Sequence, residues 1–564
     1  MNTKYIRKSC TTGCCPASST DTGNALVFHS DDNELMDQSI TYCPPRKNSV
    51  GINRPVYANP AALQEYPTFN CYFYPRLNTK YFGKDNNYGR LYAESIPLGY
   101  IPDVKNTYGY LRGSYGIVNE VGLAFGECTN GTLFQIGPTD NDDGSGVVKR
   151  LFYSDELSNI ALERCDNCRD AITLMGNLIE EYGYWGTGEC LPMADRKTGE
   201  AWVFEMAPAK PNSDGEQLGG YWVATRVPDG EVFFAANEFR TRTINRNNLG
   251  FDNNQVAGLQ IFADFNTDEL DFLATVSKGE YNHPYYSLRR VWRAFDLLAP
   301  SLNLPSNVIN GLTYEYPFTI KPDEKITLEK IQSIYRDHYE GTEFDLSKGL
   351  TAGPWKYPHR ANTMKYDLSG DIGIGNIDGA WERPICHYYT GYAFINELNP
   401  AQINPYIGQY CWLSLGTPCS SQYIPLLVDD VNERFTKTLP NIYDEDKAWW
   451  IFNRVQESVS HMYSHKIKLV NELQQIIDKR FKRMIRKVSN FIINDNIYRE
   501  FDNEQYRCLD DWKELYIKIS VMYNQTFKLQ YNSVESIGYI NADETASDWL
   551  DYMTTEWRNG PIHY

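Results

Sequence analysis

Ser9-Cys10-Thr11-Thr12 and the later run Ala25-Leu26-Val27-Phe28-His29-Ser30-Asp31-Asp32 decide how this chain is read. Between them, Pro16, Thr22-Gly23 and Asn24 supply turn chemistry, and small and apolar positions alternate on either side. That pattern predicts two short strands joined by a turn, with Leu26 to Phe28 in the core of the second. Asp32 then falls at a strand end, facing back toward Cys10. Cutting the peptide bond before Cys10 would give one residue both a thiol nucleophile and a free α-amine to serve as its base, so no separate histidine is needed. A model cysteine ionises near about 8.5 and an α-amine near about 8, so both need only modest tuning at neutral pH. Asp32 is placed to orient the amine, with a capping or turn aspartate as its alternative role. Three cysteines crowd this opening (Cys10, Cys14, Cys15), and cysteine is a commonly buried residue, so packing is the alternative role for each.

Outward from this start, residues 40 to 115 are rich in Tyr, Asn, Pro and Gly, as in Tyr42-Cys43-Pro44-Pro45 and Asn86-Asn87-Tyr88-Gly89. This is a composition of turns and edge strands, expected to shape a substrate surface. The tract Asp140-Asn141-Asp142-Asp143-Gly144-Ser145-Gly146 has the look of a calcium loop. Leu151 stands where an EF-hand needs its last acid, however, so the tract reads as a solvated turn. Ser154-Asp155-Glu156 is a helix start, and Leu157, Ile160, Ala161, Ile172, Met175 and Ile179 recur at helical spacing over one or two helices ending near Gly183. Cys165 and Cys168 fall inside that region without a second pair at ligand spacing, which weighs against zinc or redox work. Residues 187 to 240 alternate as strands and, with the first two, are expected to build two facing sheets. Helical stretches follow through Trp292 and Leu298 and from Leu328 to His338, and strands return between 381 and 430. Val470, Leu473, Ile477, Phe481, Met484 and Val488 then mark one face of a helix whose other face is rich in Lys and Arg, read as a solvated face on a packed helix.

The 564 residues carry 42% hydrophobic and 14% aromatic side chains, which excludes a disordered chain. A mean hydropathy of -0.51, with no apolar stretch near about twenty residues, excludes a spanning helix. Lys and Arg number 54 against 72 Asp and Glu, and the net charge of -18 argues against a nucleic-acid partner. Met1 to Ser9 is basic but has no apolar core, so it reads as a short propeptide rather than a secretory signal. Thirteen cysteines, an odd number at irregular spacing, suit reduced thiols in a cytoplasm. An extracytoplasmic form with a leader outside this sequence is the alternative. There is no Gly-x-Ser-x-Gly and no Gly-x-x-x-x-Gly-Lys, and His461 and His465 lack a metallopeptidase context.

Further tracts fall in a definite order: Asn119-Glu120-Val121-Gly122-Leu123-Ala124, Ala161-Leu162-Glu163-Arg164, Ala201-Trp202-Val203-Phe204-Glu205, and Trp222 to Gly230 running into Ala236-Asn237-Glu238-Phe239-Arg240. Arg290-Val291-Trp292-Arg293, Tyr316-Pro317-Phe318 and Asp337-His338-Tyr339-Glu340-Gly341-Thr342 complete the series. Together with the start, they make the chain resemble the dipeptidase and secernin family of N-terminal-nucleophile (Ntn) cysteine hydrolases, bacterial dipeptidases above all. The resemblance implies an α+β fold: an Ntn-hydrolase αββα sandwich over residues 10–430, preceded by a propeptide at 1–9 and followed by a helical C-terminal extension over 431–564. It implies a cysteine dipeptidase acting on small peptides through an acyl-enzyme on Cys10, with catalytic Cys10, Asp32, Asn237 and Arg240, no cofactor and no metal, and with homo-oligomer formation open. Asn237 would be an oxyanion or nucleophile-orienting amide, Arg240 a ligand for a substrate carboxylate or a support of the site, and Asn119 a second candidate amide. Asp337-His338-Tyr339-Glu340 is given a structural place at a helix end. One departure matters: the family's arginine-x-x-aspartate tract falls on His29 to Asp32, so a histidine stands where an arginine is expected. The rival readings are a non-peptide amide acylase of the same fold and a secernin-like regulatory or scaffold protein without hydrolysis.

Overall fold

Both opening runs are strands in the computed structural model, which describes residues 8–33, 40–49, 51–57, 97–137, 150–213, 219–280, 286–307, 313–349, 352–359, 383–402, 407–436, 443–489, 494–524, 527–533 and 536–541. The first, β1 (Lys8–Cys15), pairs antiparallel with β2 (Ala25–Asn33), from Lys8 opposite Asn33 through to Cys15 opposite Leu26. Every residue from Cys10 to Cys15 and from Ala25 to Asp32 is buried, so these strands are covered on both faces. Side chains alternate, which puts Cys10, Thr12 and Cys14 on one face of β1 with His29 and Asp31 beside them on β2. On its other edge β1 pairs with β3 (Val232–Ala235), which in turn pairs with Thr319–Ile320. Gly13 is dictated by this crossing, since a Cβ there would lie 2.3 Å from the Phe233 carbonyl oxygen. The sheet continues from β2 through Thr390–Leu398, Gln409–Leu415 and Ile424–Leu426.

A second sheet faces the Cys10 side of β1. Its order runs Gln255–Ala257, Gly220–Arg226, Ala201–Pro208, Gly188–Asp195, Leu123–Phe125, Gly116–Asn119, Tyr110–Arg112 and Thr41–Cys43, with Cys128–Asn130 also paired to Gly188–Asp195. The two sheets meet closely: a Cβ on Gly126 would lie 2.2 Å from Thr12 Oγ1, and Cys14 Sγ lies 3.7 Å from the Trp202 carbonyl oxygen. Two helices, Ser154–Arg164 and Cys168–Tyr182, cover the second sheet, burying Leu157, Ile160, Ile172, Met175 and Ile179 with Trp202, Phe204 and Trp222. Gly183 ends the second helix at φ +75°, a conformation that costs glycine little. Of the one or two helices anticipated here, there are two. Cys165 caps the first member and Cys168 opens the second, where its N–H donates to Asp195 Oδ2 at 2.9 Å. Helix Leu288–Leu298 packs on the first sheet, with Phe295 edge-on to Phe234 at 6.4 Å.

The chain divides into two compact units. The sheets just described centre on the first, residues 1–331, 394–412 and 426–442. The second joins 332–393 and 413–425 to the C-terminal 443–564, whose helices are Ala448–Ser460, Tyr463–Val488 and Asn494–Met522. The long helix buries Val470, Ile477, Phe481, Met484 and Val488 as its periodicity requires, with Gln474 taking the place expected for Leu473. Part of its basic face is paired: Arg480 bridges to Glu504 at 2.7 Å and Asp511 at 2.5 Å, and Lys487 to Glu500 at 2.6 Å. The molecule is therefore mixed α and β with antiparallel sheets. Among the described residues no helix is long and apolar enough to cross a membrane. Residues 1–7 of the expected propeptide, the tract Asp140 to Gly146 and much of the Tyr- and Asn-rich region lie outside the described residues.

Candidate active site

Cys10 lies between two neighbouring strands that deliver polar groups to it. β2 places Asp31 opposite Cys10, and continuing the β1–β3 register beyond Ala235 brings Asn237 to its other side. Asn237 adopts the left-handed conformation (φ +65°), which asparagine tolerates better than most residues. Its Oδ1 accepts the Cys10 backbone N–H at 3.2 Å, and its Nδ2 donates to the Thr129 carbonyl at 2.7 Å. Arg290, from helix Leu288–Leu298, completes a clamp. Its Nη2 donates to the same Oδ1 at 2.7 Å, and its Nη1 donates to the Cys10 carbonyl at 2.8 Å and to Thr11 Oγ1 at 3.0 Å. Both backbone polar groups of Cys10 are thus held by side chains that are themselves buried and hydrogen-bonded.

The thiol side of the residue is acidic. Cys10 Sγ, a His29 ring nitrogen and a Glu127 carboxylate oxygen lie within 4.8 Å of one another. Burial, and then the charges of Glu127, Asp31 and Asp32, push the thiol well above its ordinary value, while the Asp32 backbone N–H, hydrogen-bonded to the sulfur, pulls it back. Burial also raises the Glu127 carboxyl to about 7 and lowers His29 to about 3. His29 is therefore neutral near pH 7. Its Nδ1 accepts the Glu127 backbone N–H at 3.4 Å, which assigns the ring proton to Nε2. It does not supply the cation that an arginine would.

Asp32 reaches Cys10 through its backbone. Its own register partner is Ser9, on the opposite face of the ladder, and Ser30 Oγ donates to its Oδ2 at 3.2 Å. Arg240 is buried and points elsewhere: its Nη2 donates to the Pro317 carbonyl at 2.5 Å, its guanidinium lies 5.7 Å over the Phe295 ring, and its backbone N–H donates to Glu205 at 2.7 Å. Burial, with Arg242 nearby, lowers it to about 10. Asn119 spends its amide on the backbone, donating to the carbonyls of Leu162 and Cys165 and accepting from the Leu123 N–H. It ties a helix end to a turn. Three members of the constellation had no role in the sequence reading: Arg290, Glu127 and Asp31. Arg290 was visible in the tract Arg290-Val291-Trp292-Arg293, but only the fold shows that it reaches Cys10. Among the described residues, two groups bring three or more side chains of metal-ligand type within 4.8 Å: Cys10 with His29 and Glu127, and, in the second unit, His338, His359, Cys386 and Cys419.

The comparisons with known proteins agree on one family. The family model for peptidase family C69 matches residues 90–476, a stretch that begins after Cys10 and Asp32 and takes in Asn237, Arg240 and Arg290. A probable dipeptidase of Salmonella dublin is 25% identical over 287 residues, covering 50% of this chain and 55% of that protein. A probable dipeptidase of Latilactobacillus sakei is also 25% identical, over 35% of this chain and 39% of its own length. The chain thus spans about half the length, or less, of these two curated relatives. A probable dipeptidase A of Streptococcus pyogenes serotype M18 (strain MGAS8232) aligns more broadly, at 22% identity over 72% of this chain and 79% of the relative. With the family model covering most of its length, this chain belongs to peptidase family C69.

Proposed function

We propose that this chain is a cysteine dipeptidase of the Ntn-hydrolase type, with an αββα body over residues 10–430, a helical extension over 431–564 and a mature end at Cys10. The observation that carries the reading is the hold on the Cys10 backbone nitrogen, which accompanies a carbonyl fixed by Arg290. If the Ser9–Cys10 bond is cut, that nitrogen becomes an α-amine already seated on Asn237 Oδ1 beside its own thiol. The packing order of helix pair, sheet, sheet and helix Leu288–Leu298 supports the sandwich, and the dipeptidase names of the relatives support the substrate class.

In the reaction proposed, the neutral α-amine takes the proton from Sγ, and the thiolate attacks the carbonyl carbon of the dipeptide. As the C–N bond breaks, the resulting ammonium returns that proton to the leaving amine. Water then gives a proton to the amine and attacks the thioester, releasing the acid and regenerating the thiol. Asn237 acts here as the orienting amide, because its Nδ2 is committed to Thr129. Arg240 supports the segment that carries Asn237 by anchoring it to Pro317. The neutral His29 favours a second reading, the non-hydrolytic scaffold, since it stands where the resemblance leads one to expect an arginine.

The test combines intact mass with turnover. The purified chain is expected to begin at Cys10 and to hydrolyse members of a dipeptide panel, and Cys10→Ala is expected to abolish turnover while leaving the circular-dichroism spectrum unchanged. Full activity in Cys10→Ala would refute the mechanism. Faster cleavage of acylated amino acids than of dipeptides would replace the substrate class, and no selective labelling of Cys10 by a substrate-like thiol reagent would favour the scaffold.

A further inference from the structure

We propose that the second unit binds a zinc ion on His338, His359, Cys386 and Cys419. One ligand-type atom from each residue lies within 4.8 Å of all the others, and the four side chains are all buried. Tetrahedral zinc, with bonds of about 2.3 Å to sulfur and about 2.0–2.1 Å to nitrogen, holds neighbouring ligand atoms roughly 3.3–3.8 Å apart. His359 Nε2 and Cys419 Sγ already stand at 3.4 Å. Small inward movements of the remaining atoms would complete the tetrahedron.

The surroundings are those of a metal site rather than of a chance meeting of polar groups. The Nδ1 of His338 is 2.8 Å from Glu340 Oε1, while the His338 backbone N–H donates to the other oxygen of the same carboxylate at 2.6 Å. A carboxylate on one ring nitrogen fixes the tautomer and leaves Nε2 to face the thiols, the usual support for a metal-bound histidine. The Cys386 N–H donates to the Asp337 carbonyl at 3.1 Å, so two of the ligand segments are joined directly. Gln474 Nε2 holds the Cys419 segment, donating to the carbonyls of Cys419 at 3.2 Å and Ser421 at 2.6 Å.

The two histidines decide between zinc and a disulfide. Two thiolates and two neutral imidazoles neutralise a divalent zinc, so the filled site carries no net charge into a buried pocket. A Cys386–Cys419 disulfide would satisfy the sulfurs but leave two buried imidazoles gathered on them without a purpose. Four protein ligands leave no open position for water or substrate, so the ion is structural. It would staple three loop positions and the short 3-10 turn Pro418–Ser420, with successive ligands more than twenty residues apart, which is why no Cys-x-x-Cys spacing announced it. This departs from the expectation that the chain needs no metal, and from the purely structural place given to Asp337-His338-Tyr339-Glu340: His338 becomes a ligand and Glu340 its support.

The full-length protein, produced with zinc in the medium and dialysed against metal-free buffer, is expected to retain about one zinc per chain by elemental analysis. Cobalt replacement is expected to give the intense absorption of a tetrahedral cobalt–thiolate centre. C386S and C419S should each lower zinc content by about tenfold or more, whereas C10A should keep it, which separates this site from the Cys10, His29 and Glu127 group. If the cysteine variants fail to fold, the cobalt spectrum of the unaltered chain decides. The proposal is overturned by zinc below about a tenth of an equivalent with no cobalt–thiolate band, by a Cys386–Cys419 disulfide in the intact mass, or by zinc that C10A loses and C386S keeps.

Discussion

Asn237 and Glu127 act on Cys10 in opposite ways, one through the backbone and one through charge. Asn237→Ala removes the acceptor of the Cys10 N–H and one partner of Arg290, so kcat for a dipeptide is expected to fall by about 10²–10³, the usual cost of losing one preorganised polar group, with KM little changed. Asn237→Asp keeps an acceptor and should recover part of the loss in steady-state kinetics. Glu127 governs a pH response of stability. Its carboxyl holds a proton up to about 7 when folded, against an ordinary value of 4.5, so the folded chain binds the extra proton between those values. The stability this provides is complete below about 4.5 and is lost as pH rises through about 7, a change of order 3 kcal/mol. His29, lowered to about 3, has the opposite sign, since its contribution is lost as pH falls below 6.5. The difference between Glu127→Gln and the parent is therefore the clean readout: the variant should gain in relative melting temperature from pH 4.5 to 7, and a flat difference would refute the assignment. Cys10 and Asn237 were legible in the sequence because each sits in a distinctive local run. Glu127 was not, because a single acid between short strands has no local signature and gains its meaning only from the approach of β1.

Helix Ser154–Arg164 shows what periodicity reveals about an element and what it hides. Its start signal and apolar spacing were readable, yet nearly every residue of it is buried, polar ones included. Arg54 keeps Glu163 charged inside, donating from Nε at 2.8 Å and from Nη2 at 3.0 Å to its carboxylate, and it also donates from Nη1 to Glu156. Arg46 adds a bridge to Glu163 at 3.2 Å. Burial opposes the charge, but the arginines win and hold Glu163 down to about 2. Arg54→Ala leaves the Glu163 charge in the core without its bidentate partner and takes a hydrogen bond from Glu156, and is expected to cost about 3–5 kcal/mol in denaturant unfolding. Arg54→Met combined with Glu156→Gln and Glu163→Gln should recover much of that loss; a triple variant no better than the single would show that shape, not charge, sets the cost. No local pattern could join strand Asn53–Val56 to this helix, since their pairing is made by the tertiary fold. The long helix Tyr463–Val488 was legible for the converse reason: its apolar spacing is regular, with Gln474 the polar member of the buried stripe between Val470 and Val488, and the acids that meet its basic face lie on the helix that follows it.

At the scale of the whole molecule, the two facing sheets were readable as strands, but not which strand would lie against which. Arg290 meets Cys10 only because helix Leu288–Leu298 covers the sheet that β1 runs through. That same central position bears on the leader. Lys8 and Ser9 continue β1 against Asn33 and Asp32, so these two residues are part of the ladder. In the reading proposed, their removal ends β1 at the nucleophile and turns a peptide N–H into an amine, while β2, Asn237 and Arg290 keep their places. A chain lacking residues 2–9, from which the initiating Met is trimmed to expose Cys10, is therefore expected to match the processed protein in kcat. A Ser9→Pro chain, which removes the Ser9 N–H from the ladder and stiffens the scissile segment, is expected to stay at full mass more often and to lose activity in proportion. Intact mass measured on the same samples as dipeptide hydrolysis makes the comparison quantitative. Turnover tracking the fraction that begins at Cys10 means the amine is the base. Equal turnover by chains that retain Ser9 would transfer that role to another group, with Glu127 and His29 both within 4.8 Å of the thiol.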